Sequence, residues 1–202
     1  FLISFRTLLW MRYRDSDAAT MIDAPGLTVI IPSYNEGFMV ERSIESVVNA
    51  TYPADKLEIM VIDDGSTDNT WDYIQQACAK YPGRINAIRQ PKNMGKRKAL
   101  EEGFRNGKGE IFVTIDSDST INQDALLSIA GPFKNERTGA VAGKVEVYNR
   151  EEGMIPKMLE VRYALSFDLL RAVQSTYHTV YCCPGALTAY RASAVKEVLD
   201  SW

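Results

Sequence analysis

The chain has 202 residues, enough for one domain with a core of its own. Its hydrophobic content of 46% and charged content of 24% exclude a disordered or fibrous chain. A formal net charge of −3 lacks the basic field of a nucleic-acid binder, so no nucleic-acid partner is expected. Cys78, Cys182 and Cys183 form neither a disulfide framework nor a zinc site, which points to a reducing compartment.

In chain order, FLISFRTLLWMRYR comes first. Aromatic and aliphatic bulk stands there beside Arg6, Arg12 and Arg14. That pattern suits the cytosolic edge of a membrane, or else an amphipathic helix packed on the domain. No run of 18 apolar residues follows, so no complete transmembrane helix is expected. Asp15–Gly26 reads as a linker. The expected organisation is a juxtamembrane or interfacial segment and linker over 1–26, then one domain over 27–202.

From Leu27 strands alternate with helices. Leu27–Ile31 is a buried strand expected to stop at Pro32. A helix after Gly37 aligns Val40, Ile44, Val47 and Val48 on one face. Leu57–Ile62 is the second strand, closing on Asp63-Asp64-Gly65, and Ser66, Thr67 and Asp68 offer caps for the next helix. Ile85–Arg89 is the third strand, with a helix from Gly95 burying Leu100 and Phe104. Gly109–Ile115 is the fourth, a short run that suits a central strand covered on both faces, with a helix behind it marked by Leu126, Ile129, Ala130 and Phe133. Ala140–Tyr148 reads as another strand, Met154–Ser175 as a long helix, and Val180–Arg191 as strand or irregular. The fold class is therefore α/β, a mostly parallel open sheet flanked by helices.

Three strand ends carry acid or amide: Asn35-Glu36, Asp63-Asp64, and Asp116 with Asp118. Ligands bind at that edge of open α/β sheets. Asp116 and Asp118, two apart on extended chain, point the same way, and such a pair repels unless a proton or cation intervenes. Hard Mg²⁺ or Mn²⁺ is the natural occupant, although a plain polar turn fits the segment too. Lys92 and Lys96-Arg97-Lys98 supply positive charge where a helix begins, which suits a bound phosphate or, alternatively, a solvated basic face.

Rival motifs fail on spacing. GAVAGK, Gly139–Lys144, is one residue short of a P-loop and runs into Val145. Asp116–Leu127 has Ile121 and Leu127 where an EF-hand needs Gly and Glu. No GxGxxG follows a strand, no HExxH occurs, and His178 stands alone. Asp116–Thr120 does have the DxDxT form of haloacid-dehalogenase-type phosphatases, though those place it after the first strand.

VIIPSYNEG at Val29–Gly37, VIDDGSTDNT at Val61–Thr70, NMGKRKAL at Asn93–Leu100 and the Asp116–Asp118 pair together resemble family 2 inverting glycosyltransferases of the GT-A fold, with its Rossmann-like nucleotide-binding half. Glu160–Tyr163, Arg171–Ser175, and Cys182–Ala186 with Tyr190-Arg191 are similar to hyaluronan synthases, and rhizobial chitin-oligosaccharide synthases share much of this. The resemblance covers Leu27 to the end.

The resemblance implies that Pro32, Tyr34, Asn35 and Glu36 line a uridine pocket and that Asp64 faces uracil or ribose. Lys96 and Arg97 would contact the nucleotide or its phosphates, and Asp116 the ribose or metal. Asp118 would ligate the Mg²⁺ or Mn²⁺ on the diphosphate, and Cys183, Pro184 and Gly185 would lie near the acceptor sugar. The activity implied is inverting transfer from a UDP-sugar, UDP-GlcNAc with or without UDP-GlcA, to a growing polysaccharide at the cytoplasmic face of the cell membrane. The family's base and QxxRW-type motif, like its transmembrane helices, are expected beyond Trp202, so no base is assigned. The alternatives are a chitin or poly-N-acetylglucosamine synthase, a DxDxT phosphatase and a non-catalytic nucleotide-binding module.

Overall fold

Seven consecutive buried residues, Leu27–Ser33, form β1, the centre of the sheet. They belong to a computed structural model that describes residues 2–201; Phe1 and Trp202, the ends of the two expected segments, lie outside the described residues. Beside β1 run β2 (Leu57–Asp63), β3 (Ile85–Arg89) and β4 (Ile111–Ile115), all parallel. β5 (Ala140–Ala142) and β6 (Leu187–Arg191) add an antiparallel edge, giving the order β3-β2-β1-β4-β6-β5. The mostly parallel α/β expectation holds.

Alternation along the central strands feeds two cores. Val29, Ile31, Val61, Val113 and Ile115 face α2 (Met39–Val48), α3 (Thr70–Lys80) and α5 (Ala125–Ala130). Ile30, Met60, Ile62 and Phe112 face α4 (Lys96–Asn106) and α8 (Ala192–Val198). A side chain at Gly103 of α4 would meet Ile30 at 2.5 Å, so the missing Cβ lets that helix lie close on β1.

Pro32 does not stop β1, which runs on to Ser33. Ser33 O accepts the Asp64 amide at 2.9 Å, so Ser33 faces β2. Alternation then turns Pro32's missing N–H toward β4, whose pairing with β1 ends at Ile30 and Thr114. The expected strand over Ala140–Tyr148 is three residues long, because its ladder with β6 covers only Ala140–Ala142. The long helix is continuous but mixed: α6 (Met154–Ala164), a π-wound stretch over Leu165–Arg171, and α7 (Ala172–Ser175).

The stretch expected as a linker is strapped down. Ala19 and Ala24 are buried in the core, Ala19 donates to Leu127 O at 2.9 Å, and Lys56 Nζ and Tyr52 Oη donate to Ala24 O and Pro25 O. Before it, α1 (Leu2–Arg12) touches α7 yet leaves Phe5, Leu8, Trp10 and Met11 exposed. Among the described residues no helix is long and apolar enough to cross a membrane.

Candidate functional site

The three acid-bearing strand ends meet. Ser33 is level with Asp63, and Ile30 with Thr114, so β1, β2 and β4 finish on one edge within a few residues of each other. There they bound a cleft of about 350 Å³ lined by Pro32, Ser33, Tyr34, Glu36, Asp64, Asn93, Gly95, Lys96, Ala99, Asp116, Ser117 and Asp118.

Each wall is built by hydrogen bonds that the strand ends demand. After β1 the chain turns through Asn35 at φ +54°, a conformation Asn tolerates. Asn35 N–H donates to Ser66 Oγ and its Oδ1 accepts the Thr67 amide at 2.9 Å, so this side chain ties two loops together and does not line the cleft. Thr70 Oγ1 accepts the amides of Glu36 and Gly37 and donates to Asp68, which fixes the start of the Glu36 turn.

Asp64 is buried, and both of its oxygens are taken. Met94 N–H donates to Oδ1 and Gly95 N–H to Oδ2, each at 2.8 Å. Its first task is thus to hold the loop that delivers α4. Gly65, at φ +69°, brings that loop within reach: a Cβ there would stand 2.5 Å from the Lys92 carbonyl carbon. Behind it Asp63 is fully buried and accepts from Ser66, with Arg89 Nε 3.1 Å from Oδ2, close enough to pair charges but not aligned as a hydrogen bond.

The basic run on α4 divides. Lys96 crosses the cleft to ion-pair with Asp116, whereas Lys98 pairs with Glu101 on its own helix at 2.6 Å, the solvated-face role. Arg97 is exposed and lies outside the cleft lining. Asp118 is exposed at the cleft wall. Burial, then the negative charge of Asp118, pushes the Glu36 carboxyl above its usual value; a hydrogen bond with Ser117 offsets this in part, and Asp116 and Asp68 add to it.

Among the described residues no three His, Cys, Asp or Glu side chains converge on a metal position. Asp116 and Asp118 lie not on extended chain but in a turn just past β4, closed by Ser119 N–H on Asp116 O at 3.0 Å. Both line the cleft, so they would supply at most two carboxylates, and the rest of a hard ion's oxygen shell would come from a bound anion or water. These oxygen donors are of the kind that Mg²⁺ or Mn²⁺ takes, and Asp116 and Asp118 would be the residues to hold it.

Of Cys183, Pro184 and Gly185, expected near an acceptor sugar, none lines the cleft, but Gly185 comes close to its charged pair. A Cβ there would stand 3.0 Å from both Asp116 Oδ1 and Lys96 Nζ. Pro184 O accepts the Thr188 hydroxyl, and burial pushes the Cys183 thiol up. Sequence reasoning did not single out Ser117 or Asn93 as site residues. Asn93 lay within NMGKRKAL, and Ser117 between the two acids, so position alone could have found them.

A family described as Glycosyl transferase family 2 matches residues 28–199. An N-acetylglucosaminyltransferase of Rhizobium sp. (strain N33) is 33% identical over 181 residues, 88% of this chain and 40% of that protein. The mannosyltransferase PcManGT of Pyrobaculum calidifontis, solved with GDP-Man and Mn²⁺, is similar with a TM-score of 0.80 at 24% identity, over 98% of this chain and 53% of its own. S. aureus TarS 1–349 in complex with UDP follows with a TM-score of 0.58 at 19% identity, over 85% and 48%. These structures establish the fold as GT-A. The chain spans 40% of the length of the rhizobial relative.

Proposed function

We propose, because this chain belongs to glycosyl transferase family 2, that its cleft binds a UDP-sugar and serves inverting transfer of the sugar to the growing end of a polysaccharide. The observation that carries this is the meeting of Asp116 and Asp118 from the end of β4 with Lys96 from the first turn of α4, in one cleft. Opposite charges so placed suit a diphosphate: Lys96 would face its oxygens, and the carboxylates would hold a cation that screens them. Asp118, with Asp116, would hold Mg²⁺ or Mn²⁺, which when bound stabilises negative charge on the UDP leaving group. Asp64 keeps the Lys92–Gly95 loop in place, and Pro32 and Tyr34 offer walls to the nucleoside.

UDP-GlcNAc is the leading donor, in keeping with the activity named for the rhizobial relative. UDP-GlcA would join it in a hyaluronan-synthase type of reaction; with UDP-GlcNAc alone the product is chitin or poly-N-acetylglucosamine. Family membership sets aside the DxDxT phosphatase. The cytosolic membrane face remains the proposed location, supported by Arg6, Arg12 and Arg14 beside the exposed Trp10.

Calorimetry of UDP-GlcNAc, UDP-GlcA and GDP-mannose in Mn²⁺ tests the reading. UDP-GlcNAc should bind at least about tenfold more tightly than GDP-mannose, a difference of about 1.4 kcal/mol. Equal binding of all three, or none, would overturn the assignment.

A further inference from the structure

The loop that reaches the Lys96–Asp116 pair is held from behind by the π-wound part of the long helix. A π turn holds more residues than an α turn, and such turns gather at functional sites. Here two charged side chains leave it for flanking segments. Asp168 reaches Lys144, just past β5, at 3.1 Å. Arg171 lies 4.1 Å from the centre of the Phe167 ring, donates to Ser166 Oγ, and donates Nε–H to Cys182 O at 3.2 Å.

Two further bonds complete the restraint. Gln174 Oε1 accepts the Tyr181 amide at 3.3 Å, and the Thr188 hydroxyl on β6 donates to Pro184 O. The chain is thus tied at Tyr181, Cys182 and Pro184, and the next residue is Gly185. Only a glycine fits that position without pressing on Asp116 or Lys96. Of the three ties, Arg171's is the one made by a charged donor, and it is braced by a ring and a hydroxyl.

We propose that Arg171 is a positioning residue that holds the Cys182–Gly185 loop against the Lys96–Asp116 pair, so that the acceptor-side wall and the donor-binding charges are set by one contact. This rests on the proposed function in one respect: Lys96 and Asp116 part to receive a metal-bound diphosphate. Parting them moves the surface on which Gly185 rests, so the loop responds to donor, and Arg171 transmits that response by keeping the loop down.

The thiol of Cys183 reports the loop without needing turnover. It is half-buried; burial and then Cys182 raise its thiol while the Arg171 charge lowers it in part, so it reacts slowly while the loop is in place. Losing that charge would by itself slow it further, which leaves loop opening as the source of any faster rate. The 202-residue chain carrying Cys182→Ser would be labelled with iodoacetamide and the rates at Cys183 and Cys78 read by mass spectrometry. Arg171→Ala should raise the Cys183 rate about tenfold by local opening, with Cys78 unchanged. Arg171→Lys should give about a threefold rise, since an ammonium can reach the carbonyl but lacks the planar fork that stacks on Phe167. UDP with Mn²⁺ should change the Cys183 rate at least about threefold with Arg171 present and leave the Ala variant unaffected.

Equal Cys183 rates with and without Arg171, while Cys78 stays protected, overturn the proposal. If the Ala variant exposes Cys78 as well, the Lys variant decides: it must speed Cys183 alone, and a rate equal to the parent's overturns it. If calorimetry shows UDP bound but the parent's Cys183 rate does not respond, the coupling is wrong. If UDP does not bind at all, the proposed function fails, while the labelling contrast still stands or falls on Arg171.

Discussion

Between the β1–β2–β4 half and the half built from β5, β6 and the long helix, burial changes sharply. Every residue of β1 and β4 is buried, and six of the seven in β2. No described residue of α6 is buried, and Met154, Ile155, Met158 and Val161 stand well out of the surface. The first half presents the charged strand ends on a close-packed frame. The second comes close to the cleft's charged pair through one glycine, held by side-chain bonds to backbone carbonyls and amides. The contrast is between a cleft edge set by a packed core and one set by a few hydrogen bonds.

The contrast breaks first under core deletion. Ile30→Ala should cost about 3–4 kcal/mol in urea unfolding, since Ile30 is fully buried and packs under α4. Ile155→Ala, on exposed α6, should stay within about 0.5 kcal/mol. If the two costs were alike, the division would be wrong.

Glycine substitution sharpens it. Gly65→Ala forces a left-handed residue against the Lys92 backbone and should cost about 2–3 kcal/mol. Gly139→Ala, next to β5, meets nothing within 4 Å and should be near neutral by the same measurement.

Asp64→Asn leaves one amide of the Met94–Gly95 pair facing a nitrogen, and should lower stability by about 2 kcal/mol. Hydrogen exchange should place the loss at Lys92–Lys96. Uniform loss across the sheet would deny Asp64 its role as a pin.

Among the substitutions expected to cost stability, the mildest is at Asp68. Slight burial raises its carboxyl, but the hydroxyl and amide of Thr70 more than offset this and hold it below the usual range. Asp68→Ala removes its hydrogen bonds with Thr70 and should cost about 1 kcal/mol at neutral pH. A depressed folded value means this contribution is complete above the unfolded value of about 3.9 and fades as pH falls through the lower folded one. The difference between parent and variant should therefore shrink only in acid; a difference that grew in acid would reverse the assignment.

The first half was the readable one. Apolar runs at Val29–Ile31, Ile59–Ile62 and Ile111–Ile115, each ending in acid or amide, announced both the sheet and its functional edge. Pro32 misled because a proline's meaning depends on which neighbour its absent N–H faces, and pairing partners are not written locally. The strap at Asp15–Gly26 was unreadable for a related reason: Ala19 and Ala24 carry no hydrophobic periodicity, yet small residues are what fit against α5. In the second half, the length of β5 and the link from Arg171 to Cys182 depend on contacts between distant or separately folded segments, which composition and spacing do not encode.

The central claim is that the carboxylates at the end of β4 take up a divalent ion carrying a nucleoside diphosphate. Calorimetry of UDP with and without Mn²⁺, on the parent chain and on Asp118→Asn, tests it directly. Mn²⁺ should tighten UDP binding at least about tenfold in the parent, about 1.4 kcal/mol, and nearly all of that gain should vanish in the variant. The same affinity under all four conditions would contradict it.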